Sequence, residues 1–132
     1  MSTIKGSCHC NAVKWQFILP IKTVVKCHCQ NCRKLQGSDY SSWIIVSQDQ
    51  LEVTKGKEHL SKYDANETSS KTFCSICGSA AYLVNDKHFP GNFVIPLGAI
   101  NNYEEALAPQ IQVYTPHKAV WLKLHEDEPV FS

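Results

Sequence analysis

Seven cysteines in three tight clusters constrain this chain more than any other feature. They read Cys8-x-Cys10, Cys27-x-Cys29-x-x-Cys32 and Cys74-x-x-Cys77. Cysteines one or two residues apart rarely bridge to each other, yet they converge readily on one ion. An odd count would also leave one thiol over in a disulfide framework, and such a framework needs an oxidising compartment. Redox-active dithiols and incidental core cysteines are the competing readings. The spacing favours metal over both.

Soft, all-thiolate ligation selects zinc, copper(I) or iron–sulfur, and zinc is the default for paired cysteine knuckles, with iron–sulfur the minor alternative. A structural zinc takes four protein ligands, whereas a catalytic zinc keeps three and leaves one position open. Cys8, Cys10, Cys74 and Cys77 add up to a closed four-thiolate set, and Cys27, Cys29 and Cys32 make a local three. Four plus three uses all seven cysteines, so two zinc ions per chain are expected. A rival grouping completes the triplet with a histidine and makes it a second structural site. His9 and His28 each sit between two candidate ligands, a position that turns the ring away from an ion held by both neighbours. His59, His88, His117 and His125 are scattered and reach a site only through folding.

The rest of the sequence describes one domain spanning residues 1–132. Hydrophobic residues at 43% can bury a sizeable core, and a formal charge of +1 argues against nucleic acid as a partner. No apolar run approaches the roughly 20 residues of a membrane helix. The opening Met1-Ser2-Thr3-Ile4-Lys5-Gly6 lacks the apolar core of a signal peptide, so a cytoplasmic location is expected.

Strand patterning dominates. Val13, Trp15, Phe17 and Leu19 alternate with Lys14, Gln16 and Ile18 until Pro20 ends the run. Further strands are expected at 23–26, 41–46, 51–54, 80–84, 93–95, 111–114 and 119–124. Two short helices are expected, Gln30 to Gln36 stopped by Gly37, and Tyr103 to Leu107 stopped by Ala108-Pro109. Trp15 and Trp121 are expected in the core; Trp43, Tyr40 and Tyr63 either line a groove or join that core. In Cys74-Ser75-Ile76-Cys77-Gly78, the glycine suits the positive φ that turns a zinc knuckle back on itself. Cys29 to Cys32 opens the first helix, where free N–H groups favour anionic sulfur.

Three ordered motifs carry a family likeness: Gly6-Ser7-Cys8-His9-Cys10, Cys27-His28-Cys29-Gln30-Asn31-Cys32-Arg33-Lys34 with Gly37, and Phe73-Cys74-Ser75-Ile76-Cys77-Gly78-Ser79. With Gly98, Pro109, Trp121 and Pro129 further along, the chain resembles the glutathione-dependent formaldehyde-activating enzyme family, which includes centromere protein V. The resemblance implies a mostly β fold, a β-tent of short antiparallel sheets stabilised by zinc. It implies that Cys8, Cys10, Cys74 and Cys77 hold a structural zinc and that Cys27, Cys29 and Cys32 hold a catalytic one. The implied activity is that of a carbon–sulfur lyase joining glutathione to formaldehyde.

On that reading the small-molecule partners are glutathione, or another thiol, and an aldehyde. The open metal position takes either the thiolate or the aldehyde oxygen. His28 is a candidate proton donor, and Arg33, Lys34 and Lys26 beside the triplet are candidate clamps for the substrate carboxylates. Thiols add to formaldehyde unaided, so other thiols and aldehydes stay in view. The opposing class is a zinc-stabilised β binding module in which both ions are structural.

Overall fold

The computed structural model describes residues 3–102, 108–124 and 129–131. In chain order the strands are β1 (Thr3–Ser7), β2 (Lys14–Ile18), β3 (Thr23–Cys27), β4 (Ser41–Ser47), β5 (Leu51–Lys55) and β6 (Leu60–Asp64). There follow β7 (Ser69–Cys74), β8 (Ala80–Asn85), β9 (Asn92–Pro96), β10 (Ile111–Val113) and β11 (Val130–Phe131). A single α-helix among the described residues, α1 (Gln30–Gln36), joins β3 to β4. The expected mostly β class holds.

The strands form a three-stranded antiparallel sheet, β1-β2-β5, and an eight-stranded sheet, β11-β10-β3-β4-β9-β8-β7-β6. The larger sheet is antiparallel except at one end, where β10 runs parallel to both β3 and β11. That parallel end matters, because it sets Val113 in register with Cys27.

Alternation on β2 buries Trp15 and Phe17, which meet Ile4, Val24, Ile44, Val46 and Ile95 in the main core. Burying each such side chain contributes roughly 1.5–3 kcal/mol. Gly6 is required there: a Cβ on it would meet the Trp15 ring at 2.0 Å. The outer edge of β1 is covered by a turn. Asn101 N–H donates to Lys5 O at 2.7 Å, Lys5 N–H to Asn102 Oδ1 at 2.7 Å, and Asn102 Nδ2 to Thr3 O at 3.1 Å. A second, smaller cluster of Val25, Cys27, Trp43, Ile45, Leu83 and Val94 lies on the larger sheet, with Cys29, Cys32, Leu35, Phe89 and Val113 packed against it.

Two expectations need correction. Residues 119–124 form a turn rather than a strand, closed by Leu122 N–H to Ala119 O at 3.1 Å. The place beside β10 is filled by β11 instead, and the apolar run 119–122 pairs with no strand. Trp121 accordingly lies outside the core at 66% exposure, its Nε1–H donating to Asp39 Oδ2 at 2.9 Å. The helix expected over Tyr103 to Leu107 lies outside the described residues. Among the described residues, no helix is long and apolar enough to cross a membrane.

Candidate metal centres

The fold gathers the seven cysteines into two groups, four and three, and within each group the sulfur atoms lie within 4.8 Å of one another. The first group is Cys8, Cys10, Cys74 and Cys77; the second is Cys27, Cys29 and Cys32. All seven are free thiols. Tetrahedral zinc–thiolate bonds of about 2.3 Å imply sulfur–sulfur edges of about 3.8 Å. Cys8 and Cys10 stand 3.6 Å apart, Cys10 and Cys74 3.8 Å, and Cys27 and Cys29 3.4 Å. Donor type and spacing therefore fit a metal ion in each group.

The four-sulfur group is built where two sheets end together. Cys8 follows β1, and its loop turns back through Asn11 at φ 65, with Asn11 N–H to Cys8 O at 3.1 Å. Cys74 closes β7, and Gly78 takes φ 81 so that its N–H returns to Cys74 O at 2.8 Å. The loops are stitched directly, His9 N–H donating to Ser79 Oγ at 3.1 Å. Hydrogen bonds from the Ser79 hydroxyl and amide lower the Cys77 thiol to about 5. At Cys10 the Ala12 amide pulls downward, but desolvation and the bonds to Cys8, Cys77 and Cys74 outweigh it and carry the thiol up to about 11.

The three-sulfur group is local. Cys27 ends β3, buried to 5% exposure; Cys29 is the N-cap of α1; Cys32 sits in the first turn. Cys29 Sγ accepts the Cys32 amide at 3.3 Å, so this sulfur caps the helix as a serine hydroxyl would. Gly37 ends the helix at φ 68, as the sequence predicts, and Ser41 Oγ–H holds Cys32 O at 3.1 Å. Bonds from the Cys27 and Cys32 thiols, against partial burial and with the Cys32 and Asn31 amides, draw Cys29 down to about 2. The same contacts, Cys29 foremost, raise Cys27 to about 11, and Cys27 and Cys29 together drive Cys32 well above the ordinary thiol range. One sulfur thus carries the charge while its neighbours keep their protons.

No histidine joins either group among the described residues, and His125 lies outside them. His28 is buried at 2% exposure, with its Nε2 2.9 Å from Gln112 Oε1 and its backbone N–H on Val113 O at 3.1 Å. Arg33 donates from Nη1 to His117 O at 3.2 Å, Lys34 is exposed on α1, and Lys26 lies over the Tyr40 ring at 5.9 Å. Trp43 belongs to the core and Tyr63 is exposed, whereas Tyr40 lines a polar groove of about 850 Å³ with Ser7, His9, Lys71, Ser79 and Asn101. That groove borders the four-sulfur group and includes none of Cys27, Cys29 and Cys32.

Sequence reasoning passed over one pair. Tyr114, immediately after β10, takes φ 57, unusual for a non-glycine residue, and its hydroxyl lies 3.3 Å from His88 Nε2. Desolvation, and then the anionic character of the three-sulfur group, raise the Tyr114 phenol. The stretch Asn85-Asp86-Lys87-His88-Phe89-Pro90-Gly91 reads locally as an ordinary turn, so nothing in it singles out His88.

Comparison with known proteins adds two findings. The family model for glutathione-dependent formaldehyde-activating enzyme matches residues 3–117. The crystal structure of a Rhodobacter sphaeroides protein superposes with a TM-score of 0.64 at 22% identity, covering 82% of this chain and 97% of that one. At that identity the second likeness speaks to fold alone.

Proposed function

The chain belongs to the glutathione-dependent formaldehyde-activating enzyme family, and from that premise we propose that it is a two-zinc carbon–sulfur lyase. Its reaction joins glutathione, or another small thiol, to formaldehyde or a related aldehyde as an S-hydroxymethyl adduct, and reverses that addition. The observation that carries this reading is the inequality of the two sulfur groups. Four sulfurs close one tetrahedron, while among the described residues three leave the other a vertex short.

In this reading Cys8, Cys10, Cys74 and Cys77 hold a structural zinc, and Cys27, Cys29 and Cys32 hold the catalytic one. Bound there, zinc supplies a means of keeping a thiol ionised at neutral pH beside an electrophile. The remaining work falls to the protein. The Cys32 amide and Ser41 fix the sulfur-bearing turn, and His28, tied to Gln112, secures the segment from beneath. Arg33, Lys34 and Lys26 provide positive charge for the carboxylates of glutathione. Free thiols throughout accord with a reducing compartment such as the cytoplasm.

The test is exchange spectroscopy on glutathione and formaldehyde with zinc-loaded protein. Interconversion of free and adduct signals is expected to exceed the uncatalysed rate and to fall to it in Cys29→Ser. A wild-type rate equal to the uncatalysed one, with both zinc ions bound, rejects the lyase in favour of a binding module.

A further inference from the structure

We propose that Tyr114, positioned by His88, is the group of the three-sulfur centre that recognises and protonates the substrate oxygen; this rests on the lyase reading above. Two unrelated segments meet to form the pair. Val113 is paired with Cys27, and its carbonyl holds the His28 N–H at 3.1 Å, so the next residue leaves the sheet at the sulfur-bearing turn. There the backbone adopts φ 57 and ψ 38, a conformation that costs a β-carbon residue about 1–2 kcal/mol. Strain of this kind persists where surroundings impose it, and it clusters at working sites.

The second segment is the turn between β8 and β9. Asn85 organises it, its carbonyl taking the Phe89 N–H at 2.8 Å and its Oδ1 the His88 N–H at 3.2 Å. Phe89 packs with Cys29, Cys32 and Val113 against one hydrophobic cluster. His88 therefore stands beside the same cluster, its ring set edge-on to Tyr114 at 6.3 Å and its Nε2 3.3 Å from the phenol oxygen. Both residues are exposed, so an incoming molecule reaches them. A phenol hydroxyl both donates and accepts, so it can take a hydrogen bond from His88 and give one to a ligand.

The alternative donor, His28, is 2% exposed, whereas Tyr114 and His88 are open to an incoming molecule. With His88 Nε2–H donating to the phenol oxygen, the phenol's own hydrogen is free for a ligand. In the addition, the thiolate sulfur bonds to the carbonyl carbon and the C=O π pair moves onto oxygen. That oxygen takes the Tyr114 proton, and the phenolate, held by His88, recovers one from water. In the reverse direction the phenolate removes the hydroxyl proton, the carbonyl re-forms, and the C–S pair leaves with sulfur.

The experiment uses cobalt(II)-loaded full-length protein, whose visible absorption reports thiol binding at the three-sulfur centre. Two probes of equal size are compared, 2-mercaptoethanol and 1-propanethiol, which differ in a terminal hydroxyl or methyl. Wild type is expected to prefer the hydroxyl-bearing thiol by about tenfold, the worth of one hydrogen bond. Tyr114→Phe is expected to bring that ratio to about one with 1-propanethiol affinity unchanged, which also shows the variant folded. His88→Ala is expected to reduce the ratio, whereas a merely structural role would weaken both thiols alike. Thiol binding without a hydroxyl preference, or a preference that survives Tyr114→Phe, overturns the proposal alone. Failure of wild type to bind either thiol overturns the lyase reading together with it.

Discussion

The two sulfur groups use the same donor atom for opposite structural purposes. Cys10 and Cys74 are separated by 64 positions, yet their sulfurs lie 3.8 Å apart, joining the end of β1 in one sheet to the end of β7 in the other. Cys27 to Cys32 spans a single strand end and the first turn of α1, and it ties together nothing distant. Closing a long loop removes more freedom from the unfolded chain than closing a short one, about 0.6 kcal/mol for each doubling of length. The four-sulfur group therefore belongs to the fold, whereas the fold holds the three-sulfur group ready.

That contrast can be broken at its strong end first. Cys74→Ser removes a buried member of the four-sulfur group and is expected to abolish the cooperative thermal transition. A structural zinc contributes on the order of 10 kcal/mol, against a total stability of about 5–15 kcal/mol. Differential scanning calorimetry decides it, and an unchanged transition would end the clasp interpretation. Cys29→Ser comes next: zinc per chain by native mass spectrometry should drop from two to one while the melting transition stays. Equal collapse of the two variants would make both ions structural.

A gentler test concerns protons. At pH 7 Cys29 is already ionised, whereas Cys27, at about 11, and Cys32, higher still, hold theirs. Metal uptake must therefore expel both protons, so affinity at this centre should fall about 100-fold for each pH unit lowered. Titration calorimetry in buffers of different ionisation enthalpy counts them directly; release of none would contradict the charge distribution. The smallest effects come from glycine. Gly78→Ala and Gly37→Ala both meet open space but force φ 81 and φ 68 on a β-carbon, costing about 1 kcal/mol each. The first should lower the melting temperature by a few degrees. The second should chiefly weaken metal retention at the triplet, and a reversed pattern would blur the distinction between the groups.

Much of this was legible because cysteine spacing and turn chemistry are local. The three cysteine clusters and a helix ending at Gly37 follow from residues within a few positions of each other, whereas the four-plus-three grouping came from counting ligands, because Cys10 and Cys74 stand 64 positions apart. β7 was hidden because its buried positions, Ser70, Thr72 and Cys74, are small or polar, so its alternation carries little hydrophobic contrast. β6 was hidden for a different reason: it lies at a sheet edge with Lys62, Tyr63 and Asp64 exposed. Trp121 misled in the other direction, since apolar content suggests a strand without showing whether an edge is free to receive it. Juxtapositions such as His88 with Tyr114 depend on strand order, which no local pattern encodes.

The turn over β1 has a consequence for the chain's behaviour among its own copies. Exposed strand edges template intermolecular pairing, the first step toward aggregates. Along β1 the Lys5 amide and carbonyl and the Thr3 carbonyl are already taken by Asn101 and Asn102. A strand from another molecule finds those groups engaged. Two asparagines thus act as a blunt end to the smaller sheet, shielding the strand that leads into Cys8 and Cys10 from strand addition.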